Sequence, residues 1–155
     1  ANTRKYIQKL AYKLQDHENI FLIGRGLQYP TALEAALKIK EVSYIHAEGF
    51  SGGELKHGTI ALIEEGTPCI VFSSSETENE ITSNAMEIKA RGGYIIGINH
   101  INNPVFDFYI KVPEAGDLNP VTQIIPIQIL SYQLAILRGA DPDKPRNLAK
   151  SVTVK

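Results

Sequence analysis

The sequence predicts an α/β fold, an open and mainly parallel sheet covered by helices on both faces. Two observations carry this. Short, continuously apolar bursts at 19–24 (NIFLIG), 68–73 (PCIVFS), 94–99 (YIIGIN) and 108–112 (FYIKV) read as strands buried on both sides. Between them lie longer stretches with apolar residues at helical spacing, and such alternation builds βαβ units. A length of 155 residues suits one domain, spanning 1–155. A chain of that size buries roughly 70% of the surface it exposes when unfolded.

Taken in order, residues 3–16 place Tyr6, Ile7, Leu10, Ala11 and Leu14 at helical spacing and predict the first helix. The burst at 19–24, stopped by glycine, predicts the first strand. Pro30 suits the first turn of the helix after it, where the missing N–H would be unpaired in any case. That helix is expected to run to about Ile45. His46 then opens a stretch (HAEG) that reads as a loop, continuous with the glycine-rich segment Gly49–Gly58. The second strand, at 68–73, leads to a helix from about Glu76 to Arg91, ended by Gly92 and Gly93 as a C-cap pair. Strands follow at 94–99 and 108–112. The next helix, from about Val121 to Leu137, is apolar on nearly every side and is expected to be buried on more than one face. From Gly139 to Lys155 the chain is polar and carries Pro142 and Pro145, so it reads as a tail with at most one short helical turn.

Composition narrows the function classes. A net charge of -1 gives no argument for nucleic acid or anionic membranes as partners. The single cysteine, Cys69, sits in an apolar run, which fits a buried structural thiol better than a nucleophile. No signal-peptide core is visible at the start. No apolar run is read as approaching the roughly 20 residues of a membrane span. A cytoplasmic enzyme, or a piece of one, is the expectation.

Parallel sheets of this kind bind ligands beyond the carboxyl ends of their strands. The loops Gly24–Tyr29 and Ser73–Thr77 are therefore the first places to look. In the helix after Pro30, Thr31, Glu34, Lys38 and Glu41 share one arc. The pattern alone favours a solvated stripe with Glu34 and Lys38 paired at i,i+4. The alternative is a stripe facing a cleft, where Lys38 tunes Glu41 for proton transfer. His57 lies between glycines in GGELKHG, which permits a close backbone approach to a ligand. His46 suits an orienting or structural role, and His17 and His100 sit at element ends facing solvent. The run SSSETE at 73–78 reads as an ordinary N-cap, with acids complementing the helix dipole, rather than an anion cradle. GRG at 24–26 is too short for a dinucleotide fingerprint.

The stretch GRGLQYPTALEAALKIKEVSYIHAEGFSGGELKHG and the closing PRNLAKSVTVK resemble the second sugar-isomerase (SIS) domain of the glucosamine-6-phosphate synthase family. The resemblance covers essentially the whole chain. It implies a flavodoxin-like, three-layer αβα sandwich around a five-stranded parallel sheet, with a catalytic tail at about 139–155. It also implies a larger enzyme whose glutaminase and first SIS domains are missing here. That enzyme converts fructose 6-phosphate and glutamine-derived ammonia to glucosamine 6-phosphate, with no metal and no cofactor.

Residue roles follow from the resemblance. Glu41 is the base moving a proton between C1 and C2, and His57 acts in opening the sugar ring. Lys38 lies beside Glu41, and Lys150 contacts the open-chain sugar near its carbonyl, by Schiff base or hydrogen bond. Most phosphate contacts in the family come from the first SIS domain, so SSSETE corresponds to a degenerate second phosphate loop. The family works as a homodimer in which the histidine of the KHG motif reaches into the neighbouring subunit's site. Thr59 stands where many members have proline. Two other readings stay open: a free-standing sugar-phosphate isomerase, and a non-catalytic module that binds a phosphosugar. The expected geometry has Glu41 shielded from solvent, its stripe lining the cleft at the sheet's carboxyl edge. His57 is expected to lie farther from its own Glu41 than from a partner's.

Overall fold

Five strands run parallel in the computed structural model, which describes residues 3–147. They are β1 (Asn19–Gly24), β2 (His46–Ser51), β3 (Pro68–Phe72), β4 (Tyr94–Asn99) and β5 (Phe108–Lys111), in the spatial order β2-β1-β3-β4-β5. Side chains on a strand alternate between faces, and here both faces are apolar. Ile20, Leu22, Ile70, Phe72, Ile96 and Ile98 meet α1 (Thr3–Leu14), α2 (Gln28–Ser43) and α4 (Asn119–Leu137) on one side. Phe21, Ile23, Cys69, Val71 and Ile95 meet α3 (Glu78–Lys89) and the short 3-10 segment Gly52–His57 on the other. The result is a three-layer αβα sandwich, with four of the five strands at the positions where the apolar bursts put them.

The segment at 46–51 corrects the expectation of a loop. It is an edge strand in register with β1 from Asn19↔His46 to Gly24↔Ser51. HAEGFS has no apolar run, because an edge strand needs little more than Ala47 and Phe50 to reach the two cores. Gly49 is the structural requirement. A Cβ there would stand 2.5 Å from the Ala32 carbonyl oxygen, so α2 crosses directly on the strand's backbone. The helix itself stops at Ser43 rather than Ile45, turned out by Tyr44 in the left-handed conformation at φ 61°.

The last helix also differs from expectation. On one side Ile127, Leu130, Leu134 and Ala135 are fully buried against the sheet and its neighbouring helices. On another, Val121, Ile125, Tyr132 and Ile136 are half-exposed in a continuous row at helical spacing. Its apolar character therefore exceeds what this chain buries. Together with the turn before it, Gly116–Leu137 is also long and apolar enough by composition to cross a membrane, contrary to the reading of the sequence. Its place here is that of a core helix.

Candidate functional site

Apolar residues at 32, 35, 36 and 39 turn α2 onto the sheet, and this forces positions 34, 38 and 41 outward. Lys38 Nζ donates to Glu41 Oε2 at 3.0 Å and lies 3.6 Å from Glu34 Oε1. The hydrogen bond to Glu41 holds the Lys38 ammonium above its usual range. The charges of Glu41 and Glu34 add to that, while partial burial works against it. Lys38 is therefore a fixed cation between two carboxylates. Thr31 is not part of this surface: it is buried, and its hydroxyl donates to the Leu27 carbonyl.

Of two expectations about Glu41, one is corrected. Its side chain is 30% exposed, largely shielded but open on one side. It lies, however, at the opposite end of the sheet from the predicted cleft. A crossover helix runs antiparallel to the two parallel strands it joins. α2 therefore leaves the carboxyl end of β1 and returns to the amino end of β2, and position 41 falls in its last turn.

His57 belongs to another surface. It ends the Gly52–His57 3-10 segment, which is pinned by the fully buried Leu55 to the core on the α3 side. Its ring is exposed, and Nδ1 lies 2.8 Å from Glu54 Oε2. α2 lies on the other face, so the sheet stands between the helix bearing Glu41 and the segment bearing His57. Lys38 and Glu41 are brought together, and His57 is not. Lys150 lies outside the described residues.

The remaining histidines and the serine run are placed as follows, His17 being partly buried rather than solvent-facing. His46 Nδ1 is 2.9 Å from Asn19 Oδ1 across the sheet edge, a structural pairing. His100 is half-buried rather than solvent-facing, its Nδ1 2.8 Å from Glu114 Oε2. In SSSETE, Ser73 and Ser74 are buried, and the Ser74 and Thr77 hydroxyls bond each other at 3.2 Å. α3 opens at Glu78 with the expected acidic residues in its first turn but without the expected side-chain cap. The Ser73 hydroxyl is buried without a hydrogen-bond partner among the described residues.

Two further features stand out. A cavity of about 590 Å³ opens where β1 and β2 end, at the loop Gly24–Tyr29 where the sequence directs attention, lined by Arg25, Gly52, Gly53, Lys56, Ser83 and Asn84 among others. Arg25 Nε donates to Asn84 Oδ1 at 3.2 Å, and the missing side chain of Gly52 lets the backbone pass beside that pair. The pairing of Arg25 with Asn84, 59 positions away, is what the sequence could not show. The second feature is at the end of α2. Arg146 stacks on the Tyr44 ring, 4.1 Å from its centre, and its backbone N–H donates to the Tyr44 hydroxyl at 2.9 Å. The sequence gives no sign of this, because the partners are 102 positions apart.

Comparison with known proteins adds the following. Residues 13–138 match the SIS domain family. The chain is 52% identical over 153 residues to the glutamine–fructose-6-phosphate aminotransferase (isomerizing) of Pyrococcus horikoshii, covering 96% of this chain and 26% of that protein. It therefore spans about a quarter of the length of the curated relatives it matches. Among solved structures it is similar to the C-terminal domain of glucosamine-fructose-6-phosphate aminotransferase from Francisella tularensis, with TM-score 0.85 and 37% identity. That match covers 92% of this chain and 42% of the other. It is also similar to glucosamine-6-phosphate deaminase from Thermotoga maritima, with TM-score 0.76 and 28% identity over 97% of this chain and 46% of the other.

Proposed function

The chain belongs to the SIS domain family, and from that premise we propose that it is the C-terminal sugar-isomerase domain of a glutamine:fructose-6-phosphate aminotransferase (isomerising). The observation that carries the reading is the 52% identity over nearly the whole chain to such an aminotransferase. The Lys38–Glu41 geometry supports the assignment of a proton-transfer group.

The overall chemistry is a ketose-to-amino-aldose conversion. Ammonia condenses with the C2 carbonyl of open-chain fructose 6-phosphate, and water leaves. One proton is then lost from C1 and one gained at C2, while the C1 hydroxyl gives up its proton, the nitrogen gains one to become the amine, and C1 becomes the aldehyde of glucosamine 6-phosphate. Glu41 is the carboxylate that carries the proton between the two carbons. Lys38 keeps Glu41 oriented, its ammonium donating to the carboxylate at 3.0 Å. His57 handles the hydroxyl proton in ring opening, and Lys150 meets the carbonyl end of the open chain. The enzyme is a cytoplasmic homodimer. The 155-residue chain by itself should not convert fructose 6-phosphate efficiently, because most phosphate-binding groups of such an enzyme belong to its first SIS domain.

Glu41→Gln in the full-length protein tests this. The substitution keeps shape and removes the base, so kcat is expected to fall by about 10²–10⁴ with KM nearly unchanged. Unchanged kcat would reject Glu41 as the base. Glucosamine 6-phosphate formation that is absent even in the unsubstituted full-length protein would reject the whole reading.

A further inference from the structure

His57 closes the Gly52–His57 3-10 segment, and a 3-10 run of this kind holds poorly by itself. Its place is set by α3, on which it rests at three points. Leu55 is fully buried in the cluster that contains Ile81, Ala85 and Ile88 of α3. At Gly52 the backbone passes so close that a Cβ would collide with Asn84 Oδ1, the oxygen that accepts from Arg25. At the far end, Lys56 Nζ lies 2.9 Å from Glu87 Oε1. Asn84 and Glu87 are three residues apart and share a face of α3. Within the segment, His57 Nδ1 is 2.8 Å from Glu54 Oε2, so the ring's orientation is set locally. What remains to be set from outside is the position of the segment's end. The Lys56–Glu87 pair is placed to do that. Glu87 is only 26% exposed, and its second oxygen, Oε2, is buried without a hydrogen-bond partner among the described residues. Burying a carboxylate oxygen unpaired is costly, and an ion pair with a lysine that is 67% exposed returns little stability. A carboxylate kept there at a net cost points to a task other than stability.

We propose that Glu87 is a positioning residue, a brace that holds Lys56 and thereby fixes the place of the His57 imidazole. The proposal rests on the reading of His57 as the group that serves ring opening. Its own content is the brace. In ring opening the C2–O5 bond of fructofuranose 6-phosphate breaks. The C2 hydroxyl gives up its proton as C2 becomes the ketone, and O5 gains a proton as the C5 hydroxyl. An imidazole that takes the hydroxyl proton must stand within hydrogen-bond reach of it. Misplacing such a group by about 1 Å can cost about 100-fold. The proton transfer between C1 and C2 belongs to Glu41, so the brace matters only for sugar that arrives as a ring.

A sugar that cannot close separates this from general damage. 5-Deoxyfructose 6-phosphate lacks the C5 hydroxyl, and its C6 oxygen is esterified, so it is always an open chain. In the full-length protein, kcat/KM is measured on both sugars, each variant against the unsubstituted protein on the same sugar. Glu87→Gln keeps volume and removes charge. It is expected to lower kcat/KM for fructose 6-phosphate about tenfold and to leave that for the 5-deoxy sugar unchanged. Added to His57→Ala it should lower nothing further, because it acts through that ring. Lys56→Arg, which retains the pair, should keep the activity that Lys56→Met loses. Hydrogen exchange reads the brace without turnover: backbone amides from Leu55 to Gly58 should exchange faster in Glu87→Gln, while those of β4 stay protected. Unchanged exchange at Leu55–Gly58 overturns the brace, and so do equal losses on the two sugars. His57→Ala separates the two ideas. If it turns over both sugars as the unsubstituted protein does, the ring-opening reading of His57 fails, while the exchange comparison still decides the brace.

Discussion

At the scale of single residues, the chain separates groups that do chemistry from groups that only fill space. Cys69 is the clearest of the second kind. It is fully buried in the middle layer, and burial pushes its thiol from the usual value of 9.0 up to about 12. It should resist alkylation at pH 8 in the folded protein and react only after denaturation, as a mass shift after iodoacetamide would report. The sign of its effect on stability follows. Between pH 9 and about 12 the unfolded chain gives up a proton that the folded chain keeps, so Cys69 makes the fold less stable as pH rises through that window. Lys38 acts in the same direction at alkaline pH. Its pKa is raised by the bond to Glu41, so its contribution is complete below the ordinary lysine value of 10.5 and is lost as pH climbs through the raised one. Denaturant midpoints measured from pH 8 upward should decline without a maximum.

The elements show what the sequence could and could not tell. The strands at 19–24, 68–73, 94–99 and 108–112 were legible because strands covered on both faces are written as unbroken apolar runs. β2 was not, because what seats it is a backbone-to-backbone approach at Gly49, a tertiary contact with no local pattern. Gly49→Ala should therefore cost about 1–3 kcal/mol by overpacking, seen as a lower chemical-denaturation midpoint. A midpoint equal to that of the unsubstituted chain would mean that α2 does not lie on β2 as described. The pairing of Lys38 with Glu41 could be read from spacing, since three residues along a helix bring side chains together. Which end of the sheet the pair occupies could not, because periodicity fixes a face and says nothing of the end. The exposed row on α4 makes a separate prediction. Ile125→Lys with Tyr132→Lys should change the stability of the isolated chain little, within about 0.5 kcal/mol per site. In the full-length protein the same pair should weaken assembly, measured as a shift toward smaller species in sedimentation. Undisturbed assembly would remove α4 from the interface.

For the whole molecule, the decisive relation is that the sheet stands between Glu41 and His57. If both serve one sugar, a single copy of this chain cannot assemble the site, and the second group must come from another copy. Mixed dimers test this most directly. Full-length protein carrying Glu41→Gln is unfolded and refolded with an equal amount carrying His57→Ala, and glucosamine 6-phosphate formation is measured. With sites shared between subunits, each mixed dimer keeps one intact site, and random pairing restores about a quarter of the unsubstituted activity. If Glu41 and His57 of the same chain serve one site, every site in the mixture is damaged. Activity then stays at the level of the separate variants, and the account is contradicted.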